Sequence, residues 1–259
     1  MLLIVACTKQ EPQYYWSEDA PRVVAIDSLL QQQPDSALAY LEWFDSIDYG
    51  GIGAPYNHYL DLMLSEAAFK VRKEVVLADE IGAAVACFDS LAEAYPQADN
   101  LAFLSARAHY MNAVCINNGI IFTDDSLTML ACQEYYKALE IMEKHFDEEQ
   151  MVGHKASFTA LIFARLANVY SDKFLIEPTI YFYKNVLNYK QKAFNPPSSL
   201  ANTLFFLGYE YEKSEQFDSA LYYYDQSLAC MNDTTGVLYR NVINRKALSS
   251  YHVAHDGQA

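Results

Sequence analysis

A small residue followed at helical spacing by further core residues recurs down this chain at a nearly constant interval. The copies are Ala37 with Leu41 and Phe44, Ala84 with Phe88 and Leu91, Ala131 with Tyr135 and Ala138, Thr179 with Tyr183, and Ala220 with Tyr224 and Leu228. From one small residue to the next the intervals are 47, 47, 48 and 41 residues. A repeat of this size cannot bury its apolar face alone, so the copies must stack on one another, and this constrains the fold more than any other feature. One hexapeptide makes the recurrence literal: Asp35-Ser36-Ala37-Leu38-Ala39-Tyr40 returns as Asp218-Ser219-Ala220-Leu221-Tyr222-Tyr223.

Between these points the apolar residues run with helical period, and no stretch alternates with period two for long enough to make a sheet. Eleven helices are expected, over 21–32, 34–47, 55–72, 78–94, 98–118, 124–146, 151–172, 176–192, 197–213, 215–231 and 236–254. Their starts carry caps or early prolines: Asp35 after Pro34, Asp79, Asp124-Asp125-Ser126, Pro178, and Ser198-Ser199 after Pro196-Pro197. Glycine numbers 9 in 259 residues, about half the usual share, which argues against turn-rich β architectures and phosphate-cradling loops. Gly50-Gly51-Ile52-Gly53 follows an expected helix rather than a strand and reads as a loop between hairpins.

The last copy has the most complete pattern. Leu204, Leu207, Gly208 and Tyr211 lie on one helix, and Phe217, Ala220, Tyr224 and Leu228 on the next. This resembles the tetratricopeptide repeat, a helical hairpin of about 34 residues. The preceding hairpin matches through Phe163, Leu166, Ala167 and Tyr170, with Thr179 and Tyr183 on its second helix. Earlier hairpins keep fewer positions, and the longer intervals imply longer helices or connections than the family's. The resemblance implies an all-α, right-handed superhelical solenoid of about five hairpins plus a final helix, spanning 21–254 with a short tail at 255–259. Gly208 and Ala220 are expected where two helix backbones approach closely, with Tyr211 and Tyr224 filling the gaps.

Met1-Leu2-Leu3-Ile4-Val5-Ala6-Cys7 is apolar up to its cysteine and too short to span a bilayer. It reads as the end of a secretory segment running into a lipobox, with Cys7 accepting the lipid and residues 8–20 forming a polar tether. The alternative is a short buried amino-terminal segment. With the repeats, this start resembles exported tetratricopeptide lipoproteins of Bacteroidetes, which implies an exported chain held at a bacterial envelope membrane through its lipid alone. Cys87, Cys115, Cys132 and Cys230 show no paired spacing and are expected as buried free thiols. The 33 acidic and 18 basic residues give a net charge of −15, which disfavours a nucleic-acid partner.

No catalytic or nucleotide-binding motif is present, so no enzymatic activity and no cofactor are expected. His252, His255 and Asp256 bring metal-ligand types together at a helix terminus, a poor site, and no metal is assigned. The repeat instead offers a concave face formed by the first helix of each hairpin. On it lie Leu161, Ala164, Arg165, Asn168 and Ser171 of one helix and Asn202, Phe205, Tyr209 and Glu212 of another. Arg165, Asn168, Asn202, Phe205, Tyr209 and Glu212 are the expected partner-binding residues: asparagine matches an extended backbone and the rings offer apolar faces. The expected function is a non-catalytic envelope scaffold for a protein or peptide. Alternatives are the sensing part of a longer envelope-spanning regulator and a glycan-binding lipoprotein of an uptake system.

Overall fold

The computed structural model describes residues 20–45, 54–117 and 125–256, and every described element is an α-helix. Cys7, the tether at 8–19 and the Gly50 cluster lie outside the described residues. In chain order the helices are α1 (Ala20–Gln32), α2 (Pro34–Asp45), α3 (Ala54–Arg72), α4 (Ala78–Ala94), α5 (Asp99–Asn117), α6 (Asp125–His145), α7 (Gly153–Asp172), α8 (Ile176–Lys192), α9 (Pro197–Lys213), α10 (Phe217–Ala229) and α11 (Val237–Asp256). They fall into two compact units, Met1–His145 with α1–α6 and Phe146–Ala259 with α7–α11. Within each unit consecutive helices pack as hairpins, and α1 with α3, α3 with α5, and α9 with α11 touch as well.

The repeated small residue lies on the buried face of every hairpin. Ala37, Ala84, Ala131, Thr179 and Ala220 are all completely buried, and the residue four positions on is buried with each: Leu41, Phe88, Tyr135, Tyr183 and Tyr224. One helical turn separates the two, so they sit one above the other on the face turned inward. Thr179 can replace alanine because its hydroxyl is not left bare: Oγ1 donates to the Leu175 carbonyl at 2.8 Å.

Gly208 shows what the contact tolerates. A Cβ there would lie 2.6 Å from Cδ1 and Cε1 of Tyr224 and 3.2 Å from the Ala220 carbonyl oxygen. Tyr224 cannot swing away, because its hydroxyl donates to Glu212 at 2.7 Å. Beside this contact, Ser227 donates to the Ala201 carbonyl at 2.7 Å and fastens α10 to α9 a second time.

The low glycine count has a second cause at the helix ends. Three successive turns close in the same way: Leu175 N–H to Tyr170 O, Asn195 N–H to Lys190 O, and Gln216 N–H to Tyr211 O, each with a shorter bond nested inside. This Schellman closure puts one residue in the left-handed region, usually glycine. Here the places are held by Phe174 at φ 58°, Phe194 at φ 56° and Glu215 at φ 61°. A non-glycine residue there costs about 1–2 kcal/mol.

Three stability measurements follow, all by urea unfolding. Gly208→Ala is expected to destabilise by up to about 2 kcal/mol, because overpacking costs about 1–3 and the gain in helix propensity returns about 1. Gly82→Ala, where an added Cβ meets nothing within 4 Å, is expected to stabilise by about 1 kcal/mol. Glu215→Gly is expected to raise stability by about 0.5–1 kcal/mol, the relieved strain exceeding the added freedom of the unfolded chain.

Candidate functional site

The expected binding residues all lie in the second unit, on α7 and α9. Asn168 is exposed, and its Oδ1 accepts from the Tyr183 hydroxyl at 3.0 Å, which leaves its amide donors facing outward. Tyr183 is steered in turn by Phe206, whose ring stacks on it with centroids 5.5 Å apart. Leu161, two turns before Asn168 on α7, is 37 % exposed. Arg165 is half-buried beside them, and Asn202 is exposed at the start of α9.

The other three expected residues are engaged inside the unit. Phe205 is half-buried and packs with Tyr224 and Val242 in the small core under α11. Tyr209 lies parallel to Phe205 at 6.5 Å, with the Arg245 guanidinium 4.7 Å and Lys213 Nζ 5.3 Å from its ring centroid. Two cations over one ring fix its orientation without hydrogen bonds. Glu212 accepts from Tyr224 at 2.7 Å, from Arg245 at 2.9 Å and from Ser249 at 3.3 Å, so one carboxylate joins α9, α10 and α11. Burial, and then the bond to Glu212, push the Tyr224 hydroxyl pKa well above its ordinary value.

Beneath this face runs a polar layer. Glu210 is 1 % exposed; it accepts from Ser171 of α7 at 2.7 Å, and its other oxygen lies 2.7 Å from Lys213 Nζ. Leu161, Asn168 and Asn202 are exposed and Tyr209 half-buried, above a carboxylate held by Ser171 and Lys213. Such preorganisation limits the entropy lost when a ligand docks.

The strongest electrostatic feature was not among the expected residues. In the first unit Arg107 of α5 is 2 % exposed and clamps two carboxylates from two other helices. Its Nε and Nη2 bond Glu66 of α3 at 2.9 and 2.7 Å, and Nη1 and Nη2 bond Asp27 of α1 at 2.9 and 2.7 Å. Tyr59 donates to Asp27 at 2.7 Å. Burial opposes the guanidinium charge, but Glu66 and Asp27 outweigh it and raise its pKa further. The sequence signal was a lone arginine in an apolar stretch, Leu101 to Cys115, which cannot be buried without acids to meet it. With four of the five guanidinium N–H groups bonded to carboxylates, the cluster serves as a tie between α1, α3 and α5 rather than a ligand site.

His252 lies flat on Phe217 with centroids 4.5 Å apart, while His255 stacks on Tyr251 at 4.0 Å and its Nδ1 approaches the Tyr251 carbonyl at 2.8 Å. No group of metal-binding character is found among the described residues. Cys87, Cys115, Cys132 and Cys230 are half-buried, and burial pushes the Cys115 thiol pKa up to about 11. No helix among the described residues is long and apolar enough to cross a membrane. No known family model matches the chain, and no curated protein matches it either.

Arg107→Met would leave Asp27 and Glu66 facing each other without a cation. It is expected to cost about 3–5 kcal/mol, read from the urea midpoint, and Glu66→Gln in the same chain to return part of that loss.

Proposed function

We propose that this chain is a non-catalytic, tetratricopeptide-like scaffold that holds an extended protein or peptide segment across α7 and α9. The observation that carries the reading is the pairing of Asn168 and Asn202, exposed on the first helices of successive hairpins, with the braced ring of Tyr209. A carboxamide both donates and accepts, so it can match a peptide unit whatever the side chain, while Leu161 and Tyr209 offer apolar contact for alternate side chains. Phe205 and Glu212 act at one remove: Phe205 backs the Tyr209 ring, and Glu212 holds Arg245 above it. The repeats and the absence of any catalytic motif support the scaffold reading. The lipobox-like start supports export and anchoring to a bacterial envelope through a lipid on Cys7.

The test is affinity capture with the full chain from envelope extract, followed by titration of the captured segment. Asn168→Ala with Asn202→Ala is expected to weaken binding about tenfold, since each lost hydrogen bond is worth about 0.5–1.5 kcal/mol. Tyr209→Ala is expected to weaken it further, with the helix content unchanged by circular dichroism. Unaltered affinity in both variants would sink the proposal.

A further inference from the structure

Two charged side chains brace α5, and they point in different directions. Arg107 ties it to α1 and α3 through Asp27 and Glu66. His109 is two residues on, about 200° around the helix, and reaches α4 and α6 instead. Its Nδ1 lies 2.6 Å from Glu134 Oε2 and its Nε2 3.2 Å from both Asp89 oxygens. The ring is 3 % exposed. Since α4 closes one hairpin while α5 and α6 make the next, this contact is the joint between successive hairpins.

Both ring nitrogens face carboxylates, and that decides the protonation state the joint requires. A neutral imidazole carries one N–H. It can donate to Asp89 or to Glu134, and then turns a lone pair toward the other. The acids are themselves kept ionised: Ser105 donates to Asp89 at 2.5 Å, and Lys137 Nζ lies 3.3 Å from Glu134. Asn112 also hydrogen-bonds Glu134. From α3, which packs on α5 as well, the nearby acid Glu66 is occupied by Arg107. Burial works against a charged ring here, but the hydrogen bonds and charges of Asp89 and Glu134 outweigh it and raise the His109 pKa. Burial likewise opposes ionisation of Asp89 and Glu134, yet His109 holds both below the ordinary carboxylate values. The two carboxylates sit on opposite sides of the ring, so the trio does not converge on a point where a metal could be held.

We propose that His109 is a pH-operated brace: its imidazolium locks α4 to α6 across α5, and loss of the proton releases that side while Arg107 still holds the α1 and α3 side. The hairpins then hinge about the arginine tie. The direction follows from linkage. A folded pKa above the unfolded one gives stabilisation that is complete below about pH 6.5 and drains away as pH climbs through the folded value. Asp89 and Glu134, shifted the other way, contribute above their unfolded values near pH 4 and lose that contribution only as pH falls. The guanidinium of Arg107 does not titrate in this range.

Amide hydrogen exchange on the full chain at pH 6.0 and 8.5, corrected for the intrinsic rate, tests this. Protection in α4 and α6 is expected to fall about tenfold or more relative to α1 and α3 at the higher pH. His109→Gln, neutral throughout, is expected to show the weaker protection at both values. Asp89→Asn keeps the ring but removes one acid, and is expected to move the release downward by about one pH unit or more. A protection ratio that does not change with pH in the wild type overturns the proposal. So does a change that persists in His109→Gln, an equal loss in α1 and α3, or an unshifted midpoint in Asp89→Asn.

Discussion

Two helices can lie close enough for their backbones to share the same packing layer only where the side chain between them is very small. That condition recurs at Ala37, Ala84, Ala131, Thr179 and Ala220, and each is sealed from solvent. Everything else in the hairpins is arranged around it. The large residue one turn later caps the contact, and the opposite helix must present a matching gap, most tightly at Gly208. Because the gap and the cap are one turn apart, the pairing fixes helix register as well as distance.

Much of this was legible in the sequence, because helix ends and core stripes are local properties. All eleven helices stand within two residues of where periodicity and caps place them, and the small residues fall where the hairpins close. What lay beyond reach was anything decided by a third helix. Glu212 falls on the stripe of α9 expected to face a ligand, but Tyr224 of α10 reaches it and α11 brings Arg245 and Ser249 across it, turning a candidate contact into a fastening. The Phe205 ring packs against the cluster that Val242 of α11 completes. Arg107 was visible as an oddity in an apolar run, yet its acids, 80 and 41 positions away, belong to helices that no local pattern connects.

Charge is handled differently on the surface and inside. On the outside some acids form exposed pairs, such as Glu42 with Arg72, Glu148 with Lys192 and Asp225 with Lys246, which contribute little because water screens them. Inside, each charged group answers another: Arg107 meets Asp27 and Glu66, Glu210 meets Lys213, Glu212 meets Arg245, and His109 meets Asp89 and Glu134. Apart from Glu210 with Lys213, which lies along α9, these ties run across helices. Apolar layers tolerate sliding more readily than matched charges do, so the ties set which neighbour each helix accepts, at a desolvation cost that the small core of each hairpin must cover.

The reach of Arg107 also has a consequence in time. A ribosome adds about 5–20 residues per second, so Asp27 emerges about 4–16 s before the guanidinium that neutralises it, and Glu66 about 2–8 s before. During that interval α1 and α3 carry acids whose guanidinium partner has not yet been made, on faces destined for the interior. Neither helix can settle into its final place ahead of α5. The amino-terminal hairpins, though made first, must wait for the middle of the chain before they can close.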